Sequence, residues 1–149
     1  MTNPFKTLEQ QHKGYRVALA DMLPHIRFNE QGLVPAIAQQ YDSKEVLMLA
    51  WMNQQALEET LATGRVCYWS RSRQTLWRKG ESSGQIQRLQ GLRIDCDGDT
   101  LLLQVDQTGP ACHTGRRACF FYEVDGDALI INSDVLIDPE ALYREKSTD

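Results

Sequence analysis

Residues 33–52, LVPAIAQQYDSKEVLMLAWM, decide the fold class of this chain. They contain two short apolar runs, LVPAIAQQY and EVLMLAWM, separated by the polar turn Asp42-Ser43-Lys44. Apolar runs of this length that are bounded by turn residues are typical of β-strands. The stretch therefore predicts a β-hairpin, from which the rest of a sheet can be built outward.

After this hairpin, the sequence predicts one helix and then several strands. Asn53 predicts the start of a helix that runs to about residue 62, because asparagine is a common N-cap residue. Leu57 and Leu61 lie one turn apart on its inner face, and Gly64 is a typical terminating residue. Five later stretches are rich in β-forming residues. They are RVCYWSRSR, IQRLQGLRIDC, TLLLQV, ACFFYEV and ALIIN.

The two ends of the chain carry weaker patterns. Residues 1–24 predict a weakly amphipathic helix that is broken at Gly14 and ended by Pro24. DPEALYREK, residues 138–146, predicts a short closing helix. We therefore expect one α+β domain over residues 1–149, rich in strand, with barrel-like strands flanked by short helices. Residues 1–30 would be an N-terminal helical extension and residues 133–149 a C-terminal tail.

Charge and composition exclude several classes of protein. A net charge of -4 disfavours general nucleic-acid binding, because neutralising phosphates requires a basic surface. The N-terminus has no basic start followed by an apolar segment, and the chain has no long uncharged apolar run. We expect a cytoplasmic protein that binds neither nucleic acid nor membranes. In that compartment, clustered cysteines bind metal or react more often than they form disulfides.

Residues 94–121, IDCDGDTLLLQVDQTGPACHTGRRACFF, concentrate the residues that carry chemistry. Cys96, Cys112 and Cys119 are soft ligands of the kind that zinc prefers. Their spacing does not match the C-x2-C pattern of common zinc fingers. Three thiolates would leave the fourth tetrahedral position for water, as in a catalytic zinc site. The alternative is a closed structural site with Cys67 as the fourth ligand.

The same stretch holds three carboxylates, which are hard ligands suited to magnesium or calcium. An EF-hand is not predicted, because glycine stands at the fourth loop position instead of the sixth. The Asp-Gly-Asp at residues 97–99 has an echo at residues 125–127, so both copies predict hairpin turns. If residues 95–97 continued the preceding strand, Asp95 and Asp97 would share one face and Cys96 would lie on the other. The three carboxylates belong to Asp95, Asp97 and Asp99.

Basic residues are concentrated between residues 65 and 93, where Glu81 is the only acid. With the neighbouring hydroxyls and glycines, this composition favours binding of phosphate groups. A solvated strand face is the alternative interpretation, and the three tryptophans are interpreted as core residues. The candidate phosphate ligands, which include two arginines near Cys112, are Arg71, Arg73, Arg78, Lys79, Ser82, Arg116 and Arg117.

Five motifs together resemble the phosphoribosyl-AMP cyclohydrolase family of histidine biosynthesis: LMLAWMN, YWSRSR, LWRKGESSG, IDCDGD and GPACHTGRRACF. The resemblance implies an intertwined homodimer whose active sites take ligands from both chains. Because no second catalytic domain follows these motifs, the chain resembles the single-function form. The resemblance also implies zinc bound by Cys96, Cys112 and Cys119, and magnesium bound by Asp95, Asp97 and Asp99.

The reaction implied by this resemblance opens the six-membered ring of an adenine nucleotide that carries a second phosphoribosyl group on N1. An activated water would add to C6, after which the N1–C6 bond breaks and the exocyclic amine is kept as a carboxamide. His113, beside Cys112, is the candidate for proton transfer. A zinc nucleobase deaminase would attack the same carbon, but its H-x-E and P-C-x-x-C signature is absent. The non-enzyme alternative is a zinc-stabilised module that binds phosphorylated ligands.

Overall fold

A computed structural model describes residues 3–142 and confirms a strand-rich α+β fold. The strands are β1 Val34–Gln40, β2 Val46–Met52, β3 Cys67–Ser70, β4 Thr75–Arg78, β5 Gln87–Ile94, β6 Leu101–Gln107, β7 Tyr122–Asp125 and β8 Ala128–Ile131. The helices are α1 Pro4–Leu8, α2 Leu19–Met22, which continues into a 3-10 turn at Leu23–His25, and α3 Gln54–Thr63. None of the helices within residues 3–142 combines the length and the hydropathy needed to cross a lipid bilayer.

The first six strands form one sheet in the order β4-β3-β2-β1-β6-β5. Neighbouring strands are antiparallel except β1 and β6, which run parallel. The segment just before β3 also reaches β5, because the amide of Val66 donates to the carbonyl of Gln87 (3.0 Å) and the amide of Leu89 donates to the carbonyl of Gly64 (2.8 Å). These bonds join the β3 side of the sheet to β5, the strand at the opposite edge. The sheet therefore curls into a half-barrel, in agreement with the predicted barrel-like strands.

The hairpin predicted at residues 33–52 is confirmed by β1 and β2, which pair with Val34 opposite Met52. Val34, Ala36 and Ala38 on β1 are fully buried, because side chains on a strand alternate between its two faces. They pack in one core cluster with fully buried residues of β2 and β6. These partners are Leu47, Met52, Leu101, Leu103 and Val105.

Helix α3 begins and ends at the predicted residues. The side chain of Asn53 accepts a hydrogen bond from the amide of Ala56 (2.8 Å), and Gly64 closes the helix in the left-handed conformation at φ 75°. Leu57 on the inner face is buried. The two Asp-Gly-Asp sequences also form the predicted hairpin turns, one between β5 and β6 and the other between β7 and β8.

The N-terminal segment departs from the prediction of one broken helix that Pro24 ends. Within residues 3–24, only residues 4–8 and 19–22 are α-helical, and Pro24 lies inside the 3-10 turn. Gly14 does interrupt the segment, with φ 96°. Met22 is the one buried residue of these three elements. Because a short helix in water needs buried contacts to be stable, the weak apolar pattern here supports only isolated turns.

The remaining comparisons with the predicted elements concern β4, β7 and the closing helix. Strand β4 was not predicted, and β7 begins at Tyr122 instead of residue 118. The latter shift arises because the amide of Cys119 donates to the carbonyl of Leu47 (2.7 Å), which takes this part of the chain away from the hairpin. The closing helix is present at residues 139–142, and its remaining residues, 143–146, lie outside the described part of the chain.

Candidate metal centre

The three predicted magnesium ligands lie together in the turn between β5 and β6. Strand β5 ends at Ile94. Residues 95–99 therefore belong to the turn, and the alternation of side chains along a strand does not apply to them. One carboxylate oxygen of Asp95 accepts hydrogen bonds from the amides of Asp99 (3.0 Å) and Thr100 (3.2 Å). An oxygen of each of three carboxylates lies within 4.8 Å of the others. The three belong to Asp95, Asp97 and Asp99.

The proximity of these carboxylates affects their ionisation. A hydrogen bond with the carboxyl of Asp95 raises the pKa of Asp99, and the negative charges of Asp95 and Asp97 raise it further. Nearby like charges disfavour the ionised form, so a cation bound here would relieve the repulsion. Three carboxylate oxygens at this spacing fit a hard divalent cation such as magnesium.

The N-terminal segment lies against the same turn. The ammonium of Lys6 is 2.9 Å from a carboxylate oxygen of Asp97, and the side-chain amide of Asn3 donates to the backbone carbonyl of Asp97 (3.1 Å). A Cβ atom at Gly98 would collide with the ring of Phe5. No local pattern predicts these contacts, because the partners are more than 90 residues apart along the chain.

Cys112 and Cys119 form a pair of neighbouring thiols. Cys112 is 5% exposed, and its sulfur accepts a hydrogen bond from the hydroxyl of Thr114 (3.1 Å). Burial and, to a smaller extent, the neighbouring Cys112 together raise the pKa of Cys119 to about 12. Two adjacent, largely buried sulfurs are suitable soft ligands for zinc, whose charge would favour the thiolate forms.

Cys96 is not brought to this pair within one chain. It is exposed and belongs to the turn that holds the carboxylates. Within residues 3–142, the three carboxylates are the only group of three potential ligands whose atoms come within 4.8 Å of one another. One chain therefore presents two of the predicted zinc ligands in one place and the third in another.

A tight loop positions the thiol pair. The amide of Ala111 donates to the carbonyl of Arg117 (2.9 Å), and the amide of Cys112 donates to the carbonyl of Arg116 (3.1 Å). His113 is exposed in this loop, and its side chain makes no hydrogen bond to the rest of residues 3–142. The backbone therefore holds the loop, and the imidazole extends from it.

Lys79, a predicted phosphate ligand, is only 6% exposed. Its ammonium donates to the carbonyl of Gln85 (3.3 Å). Burial lowers the pKa of Lys79, while the nearby Cys119 and Cys112 oppose this shift. The structure thus places this lysine beside the thiol pair.

The other predicted phosphate ligands fall into two groups. Arg71, Arg73 and Ser82 are exposed. The guanidinium of Arg71 lies 4.9 Å from the centre of the Trp51 ring, and Nε of Arg73 donates to the hydroxyl of Ser70 (3.4 Å). These side chains are accessible to a ligand.

The second group is engaged with other parts of the chain. Arg78 makes a bidentate pair with Glu59 at 2.8 Å for both hydrogen bonds. Arg116 donates to the carbonyl of Ser133 (3.0 Å), and Arg117 donates to the carbonyls of two residues that flank Thr108. A role for these three in phosphate binding stays a prediction.

Comparisons with known proteins identify the family. The family model described as phosphoribosyl-AMP cyclohydrolase matches residues 48–121. The phosphoribosyl-AMP cyclohydrolase of Alkalilimnicola ehrlichii is 67% identical over 140 residues, which is 94% of this chain and 99% of the relative. The protein of the same name from Chromohalobacter salexigens is 62% identical over 98% of this chain and all of the relative. The chain therefore belongs to the phosphoribosyl-AMP cyclohydrolase family of hydrolases.

Proposed function

We propose that this chain hydrolyses the N1–C6 bond of the purine ring of phosphoribosyl-AMP, a step of histidine biosynthesis, in the cytoplasm. The family assignment supports the substrate. The observation that carries the proposal is the separation of two ligand types. One is the largely buried thiol pair at Cys112 and Cys119, and the other is the cluster of carboxylates in the turn that also holds Cys96. Four free cysteines suit a reducing compartment such as the cytoplasm.

Zinc is the metal that fits the thiols. Cys112, Cys119 and Cys96 would hold it, and the hydroxyl of Thr114 would orient the sulfur of Cys112. Zinc, when bound, supplies Lewis acidity that brings the pKa of a water molecule near neutrality. Three protein ligands are typical of catalytic zinc sites, whereas structural sites usually have four.

We also propose that the enzyme is a homodimer with shared active sites. The separation of Cys96 from the thiol pair within one chain supports this arrangement. The β7–β8 hairpin supports it as well, because one of its faces exposes a group of apolar side chains, and large exposed apolar patches mark interaction sites. The apolar side chains of this face are Tyr122 (62%), Val124 (76%), Leu129 (64%) and Ile131 (54%).

The chain's own residues have separate roles in the proposed reaction. His113 would accept or deliver the proton that moves when water adds to C6 and the N1–C6 bond breaks. Asp95, Asp97 and Asp99 would hold magnesium, which would help to neutralise the substrate phosphates. Exposed basic and hydroxyl side chains, Arg71 and Arg73 with Ser82, would bind those phosphates.

An ultraviolet assay with the N1-phosphoribosylated adenine nucleotide tests the proposed function. Ring opening changes the purine absorbance and releases no ammonia, and this is the expected result. Ammonia release would instead identify a deaminase. Binding of the nucleotide without any reaction would identify a binding module. Either of these two results would contradict the proposal.

Asp97→Asn is expected to raise the magnesium concentration needed for half-maximal turnover while zinc content stays unchanged. The substitution removes a charged oxygen ligand but leaves all three thiols. It also removes the ion pair with Lys6, in which both side chains are about half exposed, so little stability should be lost. The measurements are magnesium titrations of turnover and zinc analysis.

Lys6→Met is the matched control, because it removes the same ion pair and keeps the carboxylate. Its magnesium requirement should not rise, since the competing ammonium is gone. An equal rise in both variants would assign the effect to the ion pair and not to metal binding. An unchanged requirement in Asp97→Asn would remove Asp97 from the magnesium site.

Cys67→Ser is expected to leave zinc content and turnover close to those of the wild type. Cys67 is fully buried, and burial raises the pKa of its thiol to about 12, which disfavours the thiolate. A hydroxyl in this position should lower the free energy of unfolding by about 1–3 kcal/mol, as expected for a buried polar group. Zinc analysis and urea unfolding check both statements. Loss of zinc in this variant would support the closed site with four cysteines.

A further inference from the structure

Trp51 lies between two open cavities. One has a volume of about 390 Å³ and is lined by Trp69, Ser70, Arg71 and Ser72, among others. The second has a volume of about 400 Å³ and includes Arg27, Phe28 and Asp99 in its lining. Both are in the size range of small-molecule sites. Among the described residues, 3–142, Trp51 alone lines both of them.

The position of Trp51 on the sheet explains this exposure. It lies on β2, directly opposite Pro35 on β1 and Trp69 on β3. All three are partly exposed, whereas the next residue of β2, Met52, is fully buried. Because side chains of a strand alternate between its faces, the indole of Trp51 lies on the face away from the core. The interpretation of Trp51 as a core residue is therefore wrong.

A cation lies at each side of this indole. The guanidinium of Arg71 is 4.9 Å from the ring centre, with hydroxyl groups of two serines beside it. On the other side, Arg27 and Asp99 line the second cavity together with Trp51, and the amide of Arg27 donates to the carbonyl of Gly98 (2.8 Å). The order along the surface is therefore cation, aromatic ring, cation.

We propose that Trp51 stacks against the purine base of a nucleotide, between phosphate-binding regions at Arg71 and at Arg27. This inference rests on the proposed function, whose substrate has the same order of groups: a phosphate, an aromatic base and a second phosphate. The two arginines would then face the two phosphates by charge complementarity, and the indole would face the base. Purine bases stack on tryptophan without needing specific hydrogen bonds, so one ring is sufficient to position the base.

Calorimetric binding of 5′-AMP and of ribose 5-phosphate tests the stacking. Trp51→Leu is expected to weaken 5′-AMP binding by about 5- to 100-fold, the range expected from loss of one base–aromatic stack. Trp51→Phe, which keeps a ring, should retain most of the affinity. Ribose 5-phosphate has no base, so its affinity should be the same in the wild type and both variants.

Three results would overturn the inference. They are an unchanged affinity of Trp51→Leu for 5′-AMP, an equal loss of affinity for both ligands, and no binding of 5′-AMP by the wild type. The equal loss counts only if the melting temperature of the leucine variant matches that of the wild type. If the leucine variant misfolds, Trp51→Phe takes its place: its smaller ring should cost a small part of the 5′-AMP affinity and none of the ribose 5-phosphate affinity, and an equal change for both ligands there would overturn the inference. Failure of the proposed function would look different: the wild type would bind 5′-AMP through Trp51 but would not open the ring of the N1-phosphoribosylated nucleotide.

Discussion

Cys112→Ser is expected to remove zinc and to abolish ring opening together. The serine hydroxyl is a poor replacement for a thiolate, and zinc would keep only two protein sulfurs. Losing the group that activates water removes several kcal/mol of transition-state stabilisation, so turnover should fall by about 10³-fold or more. Zinc analysis and the ultraviolet assay measure the two losses. Cys67→Ser is the matched control, since it introduces the same hydroxyl at another buried cysteine.

Mixing two inactive variants tests whether the site is shared between chains. If Cys96 of one chain joins Cys112 and Cys119 of the other, a heterodimer of Cys96→Ser and Cys112→Ser contains one intact site and one doubly altered site. Random pairing of equal amounts should then restore about 25% of wild-type turnover, because half of the dimers are mixed and each has one of two sites intact. Co-expression of the two variants supplies the mixed dimers.

Two results would contradict this account of the thiols. Full turnover in a zinc-free preparation of the wild type would show that zinc is not required. No recovery of turnover in purified mixed dimers would place all three ligands in one chain, which the exposed position of Cys96 argues against.

His113→Ala is expected to lower turnover by about 10²–10⁴-fold, the usual contribution of a general acid or base, with zinc content unchanged. Backbone hydrogen bonds hold the loop at Cys112, and the imidazole makes no hydrogen bond within residues 3–142, so its removal should leave the melting temperature nearly the same. A titrating group should also disappear from the pH dependence of turnover. The paired measurements are zinc content, melting temperature and the pH profile.

His12→Ala is a suitable control for this prediction, because His12 is also exposed but lies in the N-terminal segment. It should not change turnover. If zinc content, melting temperature and turnover all fell in His113→Ala, the histidine would have a structural role. Near-normal turnover in a zinc-replete His113→Ala enzyme would remove His113 from the mechanism.

Local signals in the sequence were sufficient for much of the fold. The β1–β2 hairpin and helix α3 were predicted because their boundaries are set by nearby residues, such as Asn53, whose side chain caps the helix, and Gly64, which adopts a left-handed conformation. The turn at residues 97–99 was predicted for the same reason. Strand β4 was missed because its four residues have no strong alternation, and only pairing with β3 makes them a strand.

The arrangement of the site could not be predicted from local patterns. Arg71 and Arg78 look equivalent in the sequence, yet Arg78 is paired with Glu59 on α3 and Arg71 lies over Trp51. The burial of Lys79 beside the thiols likewise depends on loops that are distant along the chain. Residue types therefore indicated which chemistry to expect, and tertiary contacts determined which side chains are accessible to take part in it.

The contact between the N-terminal segment and the carboxylate turn affects how the protein should be purified. Asn3 and Lys6 touch Asp97, so any tag fused at this end would begin next to the acidic turn. A polyhistidine tag there would bring metal-binding imidazoles close to both ligand types and could add metal to the measured total. Metal stoichiometry should therefore be determined on protein from which the tag has been removed.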